Sequence, residues 1–200
     1  MTDIPLNELG KTQATYAKEA LRDVHINAAY ASPLQRAVET AQIILESHET
    51  DLIIENELHE QNAGDWEGLT AQEIEERFPG QHDIWTYKPT EVRIQNGERF
   101  QDVQTRATAA FWEIARNNPG ETVLIVAHMV VNISLARDPS SEGEKEFPYV
   151  IHHFLLSEQC TAVHWICRGV SVRGRFLIIR LVPVSYGFIK LTDTPKNAKI

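Results

Sequence analysis

The chain has 200 residues, 42% of them hydrophobic and 24% charged, which fits one globular domain over residues 1–200 and excludes a disordered tail protein or a disulfide-knotted miniprotein. Nineteen basic residues against 28 acidic ones leave a net charge of −9, a poor balance for nucleic acid, which needs clustered Lys and Arg; one or two arginines in a cleft could still hold a small anion. Met1–Leu6 lacks a basic and apolar leader, Phe176–Val184 is broken by Arg180 and Pro183, and Cys160 and Cys167 match neither a redox nor a zinc spacing, so a cytoplasmic protein with no membrane partner is expected.

In chain order, Asn7–Asp23 reads as a helix with Leu9, Ala14, Ala17, Ala20 and Leu21 on one side. Ile26–Ala31 is a short strand. Ser32-Pro33 predicts an N-cap with proline at the first helical position, opening a helix to about Ser47 whose Leu34, Ala37, Val38, Ala41 and Ile44 face inward. Leu52–Leu58 is a second strand. Thr70 with Glu73 forms a capping box for a helix that stops near Phe78-Pro79-Gly80. Residues 81–97 read as irregular. Phe100, Val103, Ala107, Ala110, Phe111 and Ile114 keep a helical period through Glu98–Asn118.

Thr122–Ala127 is a continuous apolar run, the pattern of a strand covered on both faces, and His128 ends it. A helix to about Arg137, a polar loop at 138–146, a short helix at 148–156 and a closing β-hairpin of 161–167 with 175–182 complete the chain, with a frayed tail from 192. Strands alternating with helices predict an α/β fold with a mostly parallel central sheet flanked by helices.

Ligands of such sheets bind beyond the carboxyl ends of the strands. That edge collects Ser32 and Arg36 after the first strand, Glu60 after the second and His128 at the end of the third. Arg36 is either a phosphate-binding guanidinium or a solvent-facing partner of Glu39. Glu60 is either a general acid or an ordinary surface carboxylate, and His128 either a core histidine or an active-site group. One Arg with one His⁺ should attract phosphate more strongly below about pH 6.5. His152, His153 and His164 lack the spacing of a metal site, and none is expected. Trp66, Trp85, Trp112 and Trp165 are too scattered for a base-stacking platform.

Asp3-Ile4-Pro5-Leu6 with Gly10 and Gln13-Ala14, Ser32-Pro33-Leu34-Gln35-Arg36-Ala37 with Thr40-Ala41, Leu58/Glu60/Gly64 with Trp66-Glu67-Gly68, and Gly97-Glu98 with Arg106 stand in one order. These motifs, with the strand ending at His128, resemble the histidine phosphatase superfamily, the phosphoglycerate mutase-like proteins, over roughly residues 3 to 135. Arg99 stands where the family usually has Ser, and Met129 where Gly is common. The resemblance implies hydrolysis of a small phosphorylated metabolite through a phosphohistidine, without a cofactor. It makes Arg36 and His128 phosphate-binding groups and Glu60 the proton donor. It also implies a first central strand, ending in Arg-His-Gly, beside the strand that ends at His128. No such tripeptide occurs in the 200 residues, and neither His25 nor His59 stands in one. The expectation is therefore an N-terminally truncated domain whose sheet has open inner edges, inactive as it stands. The alternative is a pseudoenzyme or gene remnant that binds an anion or a partner.

Overall fold

Asn7 turns its side chain back onto the Gly10 amide and so opens helix α1, Glu8–Leu21. In the structure, a computed structural model that describes residues 2–136 and 175–181, α1 buries Ala14, Ala17 and Leu21. Leu9, expected on the inner side, is 39% exposed. Strand β1, Ala28–Ala31, leads to helix α2, Gln35–Leu45. The helix starts later than the Ser32-Pro33 pair predicts. Leu34 is the N-cap residue, in extended conformation, while Ser32, kept out of the helical region by the proline after it, continues the strand direction and donates its amide to the Val126 carbonyl. The first helical amide, Gln35, is instead taken by the Asp3 carboxylate at 2.7 Å.

Strand β2 is shorter than expected, Leu52–Ile54, and the chain then tightens into a 3₁₀ turn at Asn56–Leu58. Helix α3, Ala71–Arg77, carries the predicted capping box between Thr70 and Glu73. Residues 81–97, read as irregular, contain helix α4, Gln81–Tyr87. None of its residues is fully buried, so no apolar period marks it in the sequence. Helix α5, Phe100–Asn117, buries the six residues that its period picks out. Strand β3, Thr122–His128, passes without a loop into helix α6, Met129–Ala136.

The sheet runs in the order β2-β1-β3-β4, where β4 is Arg175–Leu181, and every pairing is parallel. β3 explains its own sequence. Val123, Ile125 and Ala127 pack with Phe100, Val103, Ala107 and Phe111 of α5 on one face. Leu124 and Val126 pack with Ala17 and Leu21 of α1 and Ala37, Ala41 and Ile44 of α2 on the other. A strand buried on both sides selects apolar residues along its length, here Val123–Ala127, with polar residues only at its two ends. Full burial of each such side chain contributes about 1.5–3 kcal/mol.

The far edge of β3, expected to be open, is occupied. β4 pairs with it from Thr122↔Arg175 to His128↔Leu181. Its Phe-Leu-Ile-Ile core is the apolar, β-branched composition that a parallel strand requires. The proposed hairpin partner at 161–167, the loop at 138–146, the helix at 148–156, the tail from 192, both cysteines and His152, His153 and His164 lie outside the described residues. Among the described residues no helix is long and apolar enough to cross a membrane.

Candidate active site

The parallel sheet delivers β1 and β3 side by side, so the residues just beyond their carboxyl ends meet. Ser32 and His128 are both buried, and His128 Nε2 lies 2.7 Å from Ser32 Oγ. The same oxygen accepts the Leu34 amide at 3.3 Å. Ser32 is thus no helix cap; it holds the imidazole. Burial pushes the His128 pKa well below its ordinary value, and the charge of Arg36 pushes it further. That direction disfavours the charged ring and runs against the expectation of a histidine that charges near pH 6.5. His128 Nε2 and Ser32 Oγ share one hydrogen bond, whose direction follows the ring tautomer.

Glu60 reaches this edge from the loop after β2. Its carboxylate accepts the Gln61 amide at 2.9 Å and the Val130 amide, in the first turn of α6, at 3.2 Å. Burial raises the Glu60 pKa, against the pull of these two amides and of Arg36. A carboxyl held toward its protonated form beside a cleft has the property a general acid needs. His59, its neighbour, turns Nδ1 onto the Glu60 carbonyl at 2.8 Å. As a carbonyl can only accept, that nitrogen carries the hydrogen.

Arg36, in the first turn of α2, is half-buried. Burial lowers its pKa, while Glu60, Asp3 and Glu67 act against that shift; an arginine stays charged regardless. Its Nη1 donates to the Thr2 carbonyl at 3.3 Å. It is therefore not the solvent-facing partner of Glu39, whose carboxylate accepts the Leu6 amide instead. The segment around Thr2 is tied down by Glu67, which accepts from the Thr2 amide at 3.0 Å and its hydroxyl at 2.9 Å.

Arg36 thus lies within electrostatic reach of both Glu60 and His128. Sequence reasoning places Ser32 at this edge but as a helix cap, and does not find the contacts around the three. Gln61 is buried and accepts the Trp85 indole at 3.5 Å, a contact that no local pattern announces. Arg106 and Glu98, singled out only as a motif, form an ion pair at 2.9 Å beneath the Glu60 loop. The arrangement offers a fixed cation, an imidazole biased toward its neutral form and a carboxyl biased toward protonation, the set that a tetrahedral anion with a leaving oxygen would engage.

Comparison with known proteins follows the same line. The sequence profile of the histidine phosphatase superfamily (branch 1) matches residues 1–157. Phosphoserine phosphatase 1 of Hydrogenobacter thermophilus is 32% identical over 130 residues, 65% of this chain and 62% of its own length. Phosphoglycerate mutase-like protein 4 of Arabidopsis thaliana is 33% identical over 160 residues, 77% of this chain and 70% of its own. Among solved structures, Bacillus stearothermophilus YhfR superposes with a TM-score of 0.64 and 40% identity, over 67% of this chain and 66% of its own. Mycobacterial glucosyl-3-phosphoglycerate phosphatase superposes with a TM-score of 0.63 and 30% identity over the same shares. The chain spans less than two thirds of the phosphoserine phosphatase.

Proposed function

The chain belongs to the histidine phosphatase superfamily (branch 1), and from that premise we propose that its sheet edge binds the phosphoryl group of a small phosphomonoester and hydrolyses it once a nucleophilic histidine is supplied. The observation that carries the reading is Glu60, pinned to the Val130 amide with its pKa raised and with Arg36 in electrostatic reach. Arg36 holds two phosphoryl oxygens through its fork of donors, and the neutral His128 hydrogen-bonds another. An incoming imidazole nitrogen forms the P–N bond while the ester P–O bond breaks, and Glu60 gives its proton to the departing oxygen. Water then attacks the phosphorus of the phosphohistidine, the P–N bond breaks to free the imidazole and inorganic phosphate, and Glu60 takes a proton from the attacking water. Dividing one displacement into two is the advantage of a covalent intermediate.

The names of the relatives point to phosphorylated metabolites such as a phosphoserine or a glucosyl phosphoglycerate. Trp85, whose indole reaches Gln61 beside Glu60, makes 81–97 the segment that selects the organic part of the substrate. A second reading rests on one observation: the 200 residues hold no Arg-His-Gly. On that reading the edge is an anion-binding module without turnover.

Turnover of p-nitrophenyl phosphate separates the two. We expect the 200 residues alone to show negligible activity, and the same residues preceded by a strand ending in Arg-His-Gly to gain activity that His128→Ala removes. Robust turnover by the 200 residues themselves, abolished in His128→Ala, would overturn the need for an added nucleophile. An extended chain that stays inert would favour the binding module.

A further inference from the structure

A largely buried arginine beneath the Glu60 loop takes no part in the chemistry above. Arg106 projects from α5 and is only 12% exposed as a side chain. Its Nε and Nη2 meet the two carboxylate oxygens of Glu98 at 2.9 and 3.1 Å. Its Nη1 donates to the carbonyls of Glu57 and His59, the latter at 2.8 Å, and its Nη2 donates to the carbonyl of Glu60 at 3.2 Å. These five bonds match the five N–H donors of a guanidinium. Glu98 closes the other side: its carboxylate accepts the Asn62 amide at 2.8 Å and its carbonyl the Gln61 side chain at 2.9 Å. Its own amide donates to the Asn62 carbonyl at 2.9 Å.

We infer that Arg106, locked by Glu98, is the positioning residue for Glu60: by fixing three carbonyls of residues 57–60 it sets where the Glu60 carboxyl meets α6. Arg106 does not touch that carboxyl. It holds the backbone on one side of it, while the Val130 amide holds the carboxyl on the other. The planar fork makes the arrangement specific. A lysine carries a comparable charge but has three donors at one point, and it cannot span three carbonyls and a carboxylate. The inference rests on the reading of Glu60 as proton donor for its consequence, but not for its geometry.

Carboxyl-carbon NMR of the full chain labelled in glutamate tests it, following the titration of Glu60 together with hydrogen exchange at the Val130 amide. Among the described residues the charged group that acts on Glu60 is Arg36 from α2; His59 from its own loop and Arg106 from α5 act on the neighbouring Glu98 and His128. In the unsubstituted protein Glu60 should titrate above the ordinary carboxylate range. A normal titration there would remove the proton-donor reading and leave the Arg106 question intact. In Arg106→Lys we expect the Glu60 midpoint to fall toward the ordinary range and Val130 protection to drop by about tenfold or more. Glu98→Gln, which keeps an acceptor for the guanidinium, should shift both in the same direction by less. A folded Arg106→Lys that loses thermal stability but keeps the Glu60 midpoint and Val130 protection would show a merely structural residue and overturn the inference. Should Arg106→Lys not fold, the same two readouts in Glu98→Gln decide, unchanged values overturning it.

Discussion

Glu60 and His128 are the residues whose protonation the fold displaces in opposite senses, and both displacements come first from burial. For His128 the folded pKa lies below the unfolded value of about 6.5. As pH falls through that value the unfolded chain takes up a proton that the native ring refuses, so stability declines toward acid. For Glu60 the folded pKa lies above the unfolded one. The native state keeps a proton that the unfolded chain releases, and this contribution is lost as pH rises through the folded value. We expect urea unfolding of the unsubstituted protein to weaken between pH 7.5 and 5.5 by more than it does in His128→Gln, where the histidine component is gone. An identical decline in both would mean that the ring is not held neutral. His128 was legible as a candidate because a polar side chain at the end of an apolar strand is conspicuous, whereas Glu60, in the loop after β2, was reached only through the strand-end rule and the family resemblance. The sense of the His128 shift was not legible, because it comes first from burial under segments distant in the chain and then from the charge of Arg36 on another helix.

At the scale of elements, the site depends on two loops that approach too closely for side chains. Gly64 has φ 49°, and a Cβ there would run into the Gln95 carbonyl and the Gly97 backbone nitrogen. Gly97 is less crowded but still tight, its missing Cβ lying 2.8 Å from the Asn62 carbonyl. Gly64→Ala should cost about 1–3 kcal/mol in urea unfolding, from a left-handed conformation and a collision with backbone that cannot move aside. Gly68→Ala, at φ 76° with open space around it, should cost less. Equal losses would mean that the loops do not pack as described. The same loops show why some elements could be read from sequence and others not. α5 and β3 are buried, so packing writes their period into the residues. α4 buries no residue fully and left no pattern. The start of α2 was misplaced because the Ser-Pro signal for a cap is also the signal for an extended residue before proline, and only the neighbouring His128 decides between them.

For the whole molecule, the parallel sheet is the device that makes a site out of distant segments. β1, β2 and β3 point their carboxyl ends the same way, and Arg36, Glu60 and His128 follow those ends. This much could be deduced from alternation of strand and helix alone. The neighbour of β3 could not. Its far edge was expected to be open, and β4, almost fifty residues further along the chain, lies along it in register to His128. Local patterns mark β4 as a strand but say nothing of which strand it joins. The edge built in this way is the central claim, and calorimetric titration with sulfate tests it most directly, because sulfate keeps the same charge across the pH range used. Arg36→Ala should bind sulfate at least about tenfold more weakly, the loss expected for a charge-assisted hydrogen bond. Binding to the unsubstituted protein should tighten as pH falls and Glu60 loses its charge, a trend that Glu60→Gln flattens. Sulfate affinity unchanged by Arg36→Ala, with no pH dependence that Glu60→Gln removes, would contradict the claim that these residues form one anion site.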